Sequence, residues 1–160
     1  MNIFVLDASP EDAAQQMCDK HVVKMILESA QLLSTAIREL LGDAVADERQ
    51  CYKKTHVNHP CSKWTRETWG NYNWLHRHSV ALCDEYTRRY GKVHKCESLI
   101  SRIWKPGGIA LRCDRTPFAQ CMPDQYKVDG DAVSAYRKYY KGEKAYFAKW
   151  KLGEPEWWNV

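Results

Sequence analysis

Residues 20–41 read KHVVKMILESAQLLSTAIRELL, and this stretch decides the fold. Twelve of its 22 residues are apolar: Val22, Val23, Met25, Ile26, Leu27, Ala30, Leu32, Leu33, Ala36, Ile37, Leu40 and Leu41. Their recurrence every three or four positions is the period of an α-helix with one face in a core, and Gly42 ends it. Upstream, Ser9-Pro10-Glu11-Asp12 predicts a helix start. It has a serine cap, proline at the first helical position, and acids where the helix dipole favours them. Before it, residues 2–6, apolar from Ile3 to Leu6 and followed by Asp7, predict a short extended segment laid against the body.

Downstream, residues 43–60 are polar and aperiodic and predict a long surface loop. His59-Pro60 opens a second long helix, in which Tyr72, Leu75, Ser79, Leu82, Tyr86 and Tyr90 recur at helical spacing until Gly91. Leu99, Ile100, Ile103 and Trp104 predict a shorter helix over about 93–104, which Lys105-Pro106-Gly107-Gly108 breaks with a flexible loop. Residues 109–130 are expected to be irregular. A last helical region is expected from about Asp131 to Lys151, bent at Gly142 and closed by Gly153-Glu154-Pro155 before Trp157 and Trp158. The expected fold is all-α: a single compact helical domain over residues 1–160, with a short extended N-terminal segment and long loops.

The 160 residues are 44% hydrophobic and 28% charged, with a formal net charge of +4. A domain of this size buries roughly two-thirds of its unfolded surface and needs no metal or disulfide for stability alone. No run approaches the ~20 apolar residues that cross a bilayer, and the opening lacks the basic region of a signal peptide, so no membrane association and a cytoplasmic location are expected. The seven cysteines lack the spacing of a secreted disulfide framework, and reduced thiols are expected. There is no Gly-rich phosphate loop, serine-nucleophile elbow or dinucleotide fingerprint, which argues against nucleotide hydrolysis and dinucleotide redox chemistry. No cofactor is expected.

Three constellations remain. His21, Lys24, Glu28, Gln31, Thr35 and Arg38 follow at intervals of three, four, three, four and three, so they share one face of the first long helix, opposite its aliphatic stripe. A solvated face is the plain reading. The mixture of imidazole, amine, carboxylate and amide instead suggests a pocket wall, with the N-terminal segment folded across it. The second comprises Cys18-x2-His21, His56-x2-His59-x-Cys61 and His76-x-His78; none reproduces the paired clips of zinc sites, so no metal is expected. The third is residues 136–151, with six Lys or Arg and one acid, +5 in sixteen residues interleaved with rings. Arg137, Lys138, Tyr139, Tyr140, Lys141, Lys144 and Lys149, with Trp64 and Arg66 of the second long helix, are candidate nucleic-acid contacts through phosphate neutralisation and base stacking.

Asp19-Lys20-His21, followed by Glu28 on the first long helix behind a short N-terminal segment, resembles the phage pyrimidine-dimer DNA glycosylase/AP lyases of the endonuclease V type. The Tyr139-Tyr140-Lys141-Gly142 end adds to the likeness. The opening and residues 19–34 also resemble a group of phage proteins with no assigned activity. The resemblance implies an all-α fold, a duplex DNA partner carrying a damaged or modified pyrimidine, and a phage-infected bacterial cell as the setting. It implies Glu28 as the catalytic carboxylate, His21 near the DNA and an N-terminal α-amine as nucleophile. Such an amine has a pKa of roughly 7.7–8.0 and is partly neutral near pH 7. Residue 2 is Asn, which disfavours removal of the initiator methionine, so the amine falls to Met1. Lys20 or Lys24 would replace it only if desolvated, and Lys24 is expected to pair with Glu28. A phage DNA-modification transferase acting on a hypermodified thymine, or a non-catalytic nucleic-acid-binding module, are the competing readings.

Overall fold

The computed structural model describes residues 1–107 and 111–159, and within them the protein is all-α. Gly108, the end of the expected Lys105–Gly108 loop, lies outside the described residues. Seven α-helices are described: α1 (Pro10–Gln15), α2 (Asp19–Leu41), α3 (Asp43–Glu48), α4 (Pro60–Glu67), α5 (Trp69–Tyr90), α6 (Glu97–Arg102) and α7 (Ala132–Lys144). Ser9 caps α1 through its hydroxyl, which accepts from Asp12 N–H. The aliphatic stripe of α2 is fully enclosed: Val22, Ile26, Ala30, Leu33, Ala36 and Ile37 have no exposed surface. α5 lies across both α1 and α2, and α4 packs on α2. Each fully buried aliphatic side chain there contributes roughly 1.5–3 kcal/mol of transfer free energy. No described helix is long and apolar enough to cross a membrane.

The extended segment is deeply placed. Ile3, Phe4, Val5 and Leu6 are each at most 6% exposed, and Phe4 stacks on His21 of α2 while meeting Tyr136, Tyr139 and Tyr140 of α7. Arg137 Nε donates to Leu6 O. The N-terminal segment therefore runs between α2 and α7 and covers part of the polar stripe of α2.

Three expectations needed correction. The expected 43–60 loop contains α3, because Arg38 pairs with Asp43 and Asp47 from its first and last turns. The second long helix is two helices. Thr68 is extended (φ −138°, ψ 160°), and its hydroxyl accepts from Asn71 N–H to restart the helix as α5. The break lets Trp69 N–H donate to Arg112 O and seats residues 113–115 so closely that a Cβ at Gly70 would meet their backbone at 2.6 Å. The last helix ends at Lys144 and continues unbroken past Gly142, where a Cβ would overlap the Tyr126 ring. Beyond it the tail folds back over α1 and α2: Trp150 Nε1 donates to Gln16 O, Trp157 Nε1 to Gln16 Oε1, and Asp19 N–H to Lys149 O.

Candidate active site

Glu28 lies mid-helix on α2, its side chain 12% exposed. Its Oε2 accepts from Asn2 N–H at 3.0 Å and lies 3.9 Å from the Met1 amino nitrogen. On the other oxygen, Lys24 Nζ stands 3.4 Å away, one turn earlier and largely in solvent. Met1, Lys24 and Glu28, named from the sequence, thus come together.

Asn2 aims the chain end at this carboxylate. Its Oδ1 accepts from Ile3 N–H and is 2.9 Å from the Tyr136 hydroxyl, while Nδ2 donates to Cys121 O at 2.8 Å. Tyr136 is fully buried and also accepts from Cys121 N–H. Cys61 Sγ stands 3.6 Å from Asn2 Oδ1 and donates to Cys121 Sγ at 3.3 Å. That thiol–thiol bond lowers Cys121 to about 7 and, with burial, pushes Cys61 far up. His59 Nδ1 accepts from Cys61 N–H to cap α4. Burial, the positive N-terminus and His56 lower the His59 pKa, and Glu28 opposes them. These roles of Asn2, His59, Cys61, Cys121 and Tyr136 escaped sequence reasoning, because Asn2 and Cys121 carry no periodic signal and the contacts of Asn2 with Cys121 and Tyr136, and of Cys61 with Cys121, join positions sixty or more residues apart.

His21 is placed differently from expectation. It is 6% exposed, stacked on Phe4, with Nδ1 2.6 Å from the Tyr140 hydroxyl. That hydroxyl also accepts from Cys18 N–H and lies 3.3 Å from Cys18 Sγ. Burial, then Lys144, Lys24 and Lys20, lower its pKa to about 3. His21 is a buried packing residue here.

The candidate nucleic-acid contacts divide. Tyr140 and Trp64, at 0% and 4% exposure, are core rings, unavailable for stacking on bases because α2, the tail and Phe118 cover them. Arg66 holds the preceding loop through Val57 O, and Arg137 straps Leu6 O, Asp7 and Gln16. Lys138 and Lys149 are exposed, and Tyr139 is half-buried with Lys144 Nζ 4.8 Å above its ring. Arg137, Lys138 and Lys141 border a groove of about 350 Å³ with Ser134 and Trp157. A larger cavity, about 620 Å³ between Arg115–Gln120 and Asp129–Val133, does not include Glu28 in its lining.

Chemically, the arrangement at Glu28 puts a carboxylate beside a primary amine under a partial protein cover, a pairing suited to reactions that build positive charge on a substrate carbon. No curated protein and no solved structure matches the chain. A family model described as pyrimidine dimer DNA glycosylase matches residues 1–98.

Proposed function

The chain belongs to the pyrimidine dimer DNA glycosylase family, and from that premise we propose that it excises a damaged or modified pyrimidine from duplex DNA, using Glu28 and the Met1 α-amine, and then acts as an AP lyase. Family membership supports a DNA glycosylase-type activity and a DNA substrate. The observation that carries the finer reading is the Glu28 carboxylate, bonded to Asn2 N–H with the Met1 nitrogen 3.9 Å away.

In this reading the target nucleotide turns out of the stack to reach the amine. The neutral amine attacks C1′, a C1′–nitrogen bond forms, and the glycosidic bond breaks with its electron pair leaving on the base, which is protonated from solvent. Glu28 offsets the positive charge that develops at C1′. As the C1′–O4′ bond opens, an amine proton passes to O4′ and leaves a protonated imine; loss of a C2′ proton then expels the 3′ phosphate, and water hydrolyses the imine to free the amine. Lys138, Lys141, Lys144 and Lys149 supply phosphate neutralisation along the C-terminal side.

Borohydride trapping on dimer-containing and abasic duplexes tests this, because reduction of the imine leaves protein and DNA covalently joined. The expected adduct is at Met1. Glu28→Gln, which keeps shape and removes charge, should cut turnover by about a thousandfold with DNA affinity near normal, the mark of an interaction made in the transition state. An adduct at Lys20 or Lys24 would relocate the nucleophile. Neither excision nor trapping on any damaged, abasic or modified substrate would overturn the proposal in favour of a transferase or a binding role, and modification of hydroxymethylated DNA would single out the transferase.

A further inference from the structure

We propose that His59, Cys61 and Cys121 form a binding site for a thiophilic divalent cation, zinc by preference, with three protein ligands and a fourth position open to water. One imidazole nitrogen and the two Sγ atoms lie within 4.8 Å of one another. A tetrahedral zinc with bonds of roughly 2.0–2.3 Å sets its N and S ligands about 3.5–3.8 Å apart. The thiols, now 3.3 Å apart, need to part by a few tenths of an ångström, and His59 needs to close by about 1.3 Å at most, within the reach of a half-buried ring.

The surroundings suit the ion. Two thiolates and a neutral imidazole balance a divalent charge, so the loaded site is electroneutral, as a partly buried position requires. Binding releases the thiol protons to solvent. The Asn2 side chain is already engaged with both ligating segments, through Cys121 O and Cys61 Sγ. The ion would therefore clamp the 119–122 segment to the N-terminus of α4 and stiffen the support that aims Asn2 and Met1 at Glu28. Cys121 lies beyond the residues that the family match covers, so this site is independent of the glycosylase reading. Sequence spacing concealed it: His59-x-Cys61 is half a clip, and its partner comes sixty residues later.

Cobalt titration of the reduced, chelator-treated full chain tests the site without any DNA. The expected result is one equivalent bound, with thiolate-to-cobalt charge-transfer absorption and the intense visible bands of tetrahedral cobalt, all bleached by zinc. Cys121→Ser and His59→Ala, both at half-buried positions, should each weaken zinc binding by roughly a hundredfold or more, at least the loss seen for outer-shell changes. Cys113→Ser, at an exposed thiol outside the cluster, should leave it unchanged. Absence of the tetrahedral spectrum, indifference of binding to Cys121→Ser, or an intact mass showing that Cys61 and Cys121 join as a disulfide in place of metal uptake would each overturn the proposal.

Discussion

Two members of the polar stripe on α2, Arg38 and Glu28, began as one pattern and became opposite environments. At the C-terminal end, Arg38 is 4% exposed and every nitrogen of its guanidinium is engaged: Nε with Tyr52 O, Nη1 with Asp43, Nη2 with Asp47 and Cys51 O. Ten residues earlier, Glu28 has one short bond to a backbone N–H, a longer approach from an exposed lysine, and an amine at 3.9 Å. A charge whose hydrogen-bonding capacity is used up by its own chain holds structure. One that is incompletely bonded and partly open retains capacity for a substrate. The difference lies in what covers them. A loop closed by α3 supplies carbonyls and carboxylates to Arg38, whereas the chain terminus supplies a single amide and an amine to Glu28.

Exchanging function for stability at these two residues is the strongest way to break this comparison. Glu28→Gln should cost about a thousandfold in turnover, about 4 kcal/mol of transition-state stabilisation, and leave the melting temperature nearly unchanged. Arg38→Met should do the reverse. It orphans the Cys51 and Tyr52 carbonyls and should lower unfolding free energy by about 2–3 kcal/mol, the scale of hydrogen bonds from a charged group, with DNA cleavage per folded molecule unaltered. Urea melts and single-turnover rates on the two variants check both halves. A large stability loss in Glu28→Gln would mean that Glu28 is structural too.

Acid sharpens the comparison next, because His21 belongs to the same stripe and is held neutral. Its pKa falls to about 3 and that of the buried His78 to about 4, against 6.5 for both when unfolded. Burial is the leading cause in each. Between pH 6.5 and 4 the unfolded chain binds more protons than the native one at these sites. Stability is therefore fully present above 6.5 and is lost as pH falls, by up to about 1.4 kcal/mol per pH unit for each proton. Unfolding free energies measured over that range should show this slope, and His21→Gln should flatten it by about one proton. An NMR midpoint for His21 near 6.5 would sink the assignment. Lys24→Ala carries the smallest expected effect. Its pair with Glu28 is exposed on the lysine side, so stability should change by about 0.5 kcal/mol or less in thermal melts.

Much of the architecture was legible because it is written in local terms. The α2 stripe, the Ser9 cap and the Gly91 stop each depend on residues within a turn or two of one another. Boundaries failed where distant chain intervenes. The His59–Tyr90 helix divides at Thr68 because residues 111–116 come in against it: Trp69 N–H bonds Arg112 O and Asn71 Oδ1 accepts from Thr116 N–H. The site was half legible. Glu28, Lys24 and Met1 were named from the stripe and the family likeness, whereas the depth at which Phe4 and Tyr140 enclose His21 leaves no mark in its spacing.

Sequence alone determined that α2 has two faces, that the aliphatic one builds the core, and that residues 136–151 carry an excess of positive charge. These follow from the 3.6-residue period and from composition. Tertiary structure decided which parts of the polar face are sealed, which cations of the C-terminal run remain at the surface, and that Cys121 joins His59 and Cys61. Those outcomes depend on contacts such as Met1 with Glu28, Phe4 with His21, Arg137 with Leu6 O, and Cys61 with Cys121. Each closes a loop of many residues, and no helical period relates its two ends.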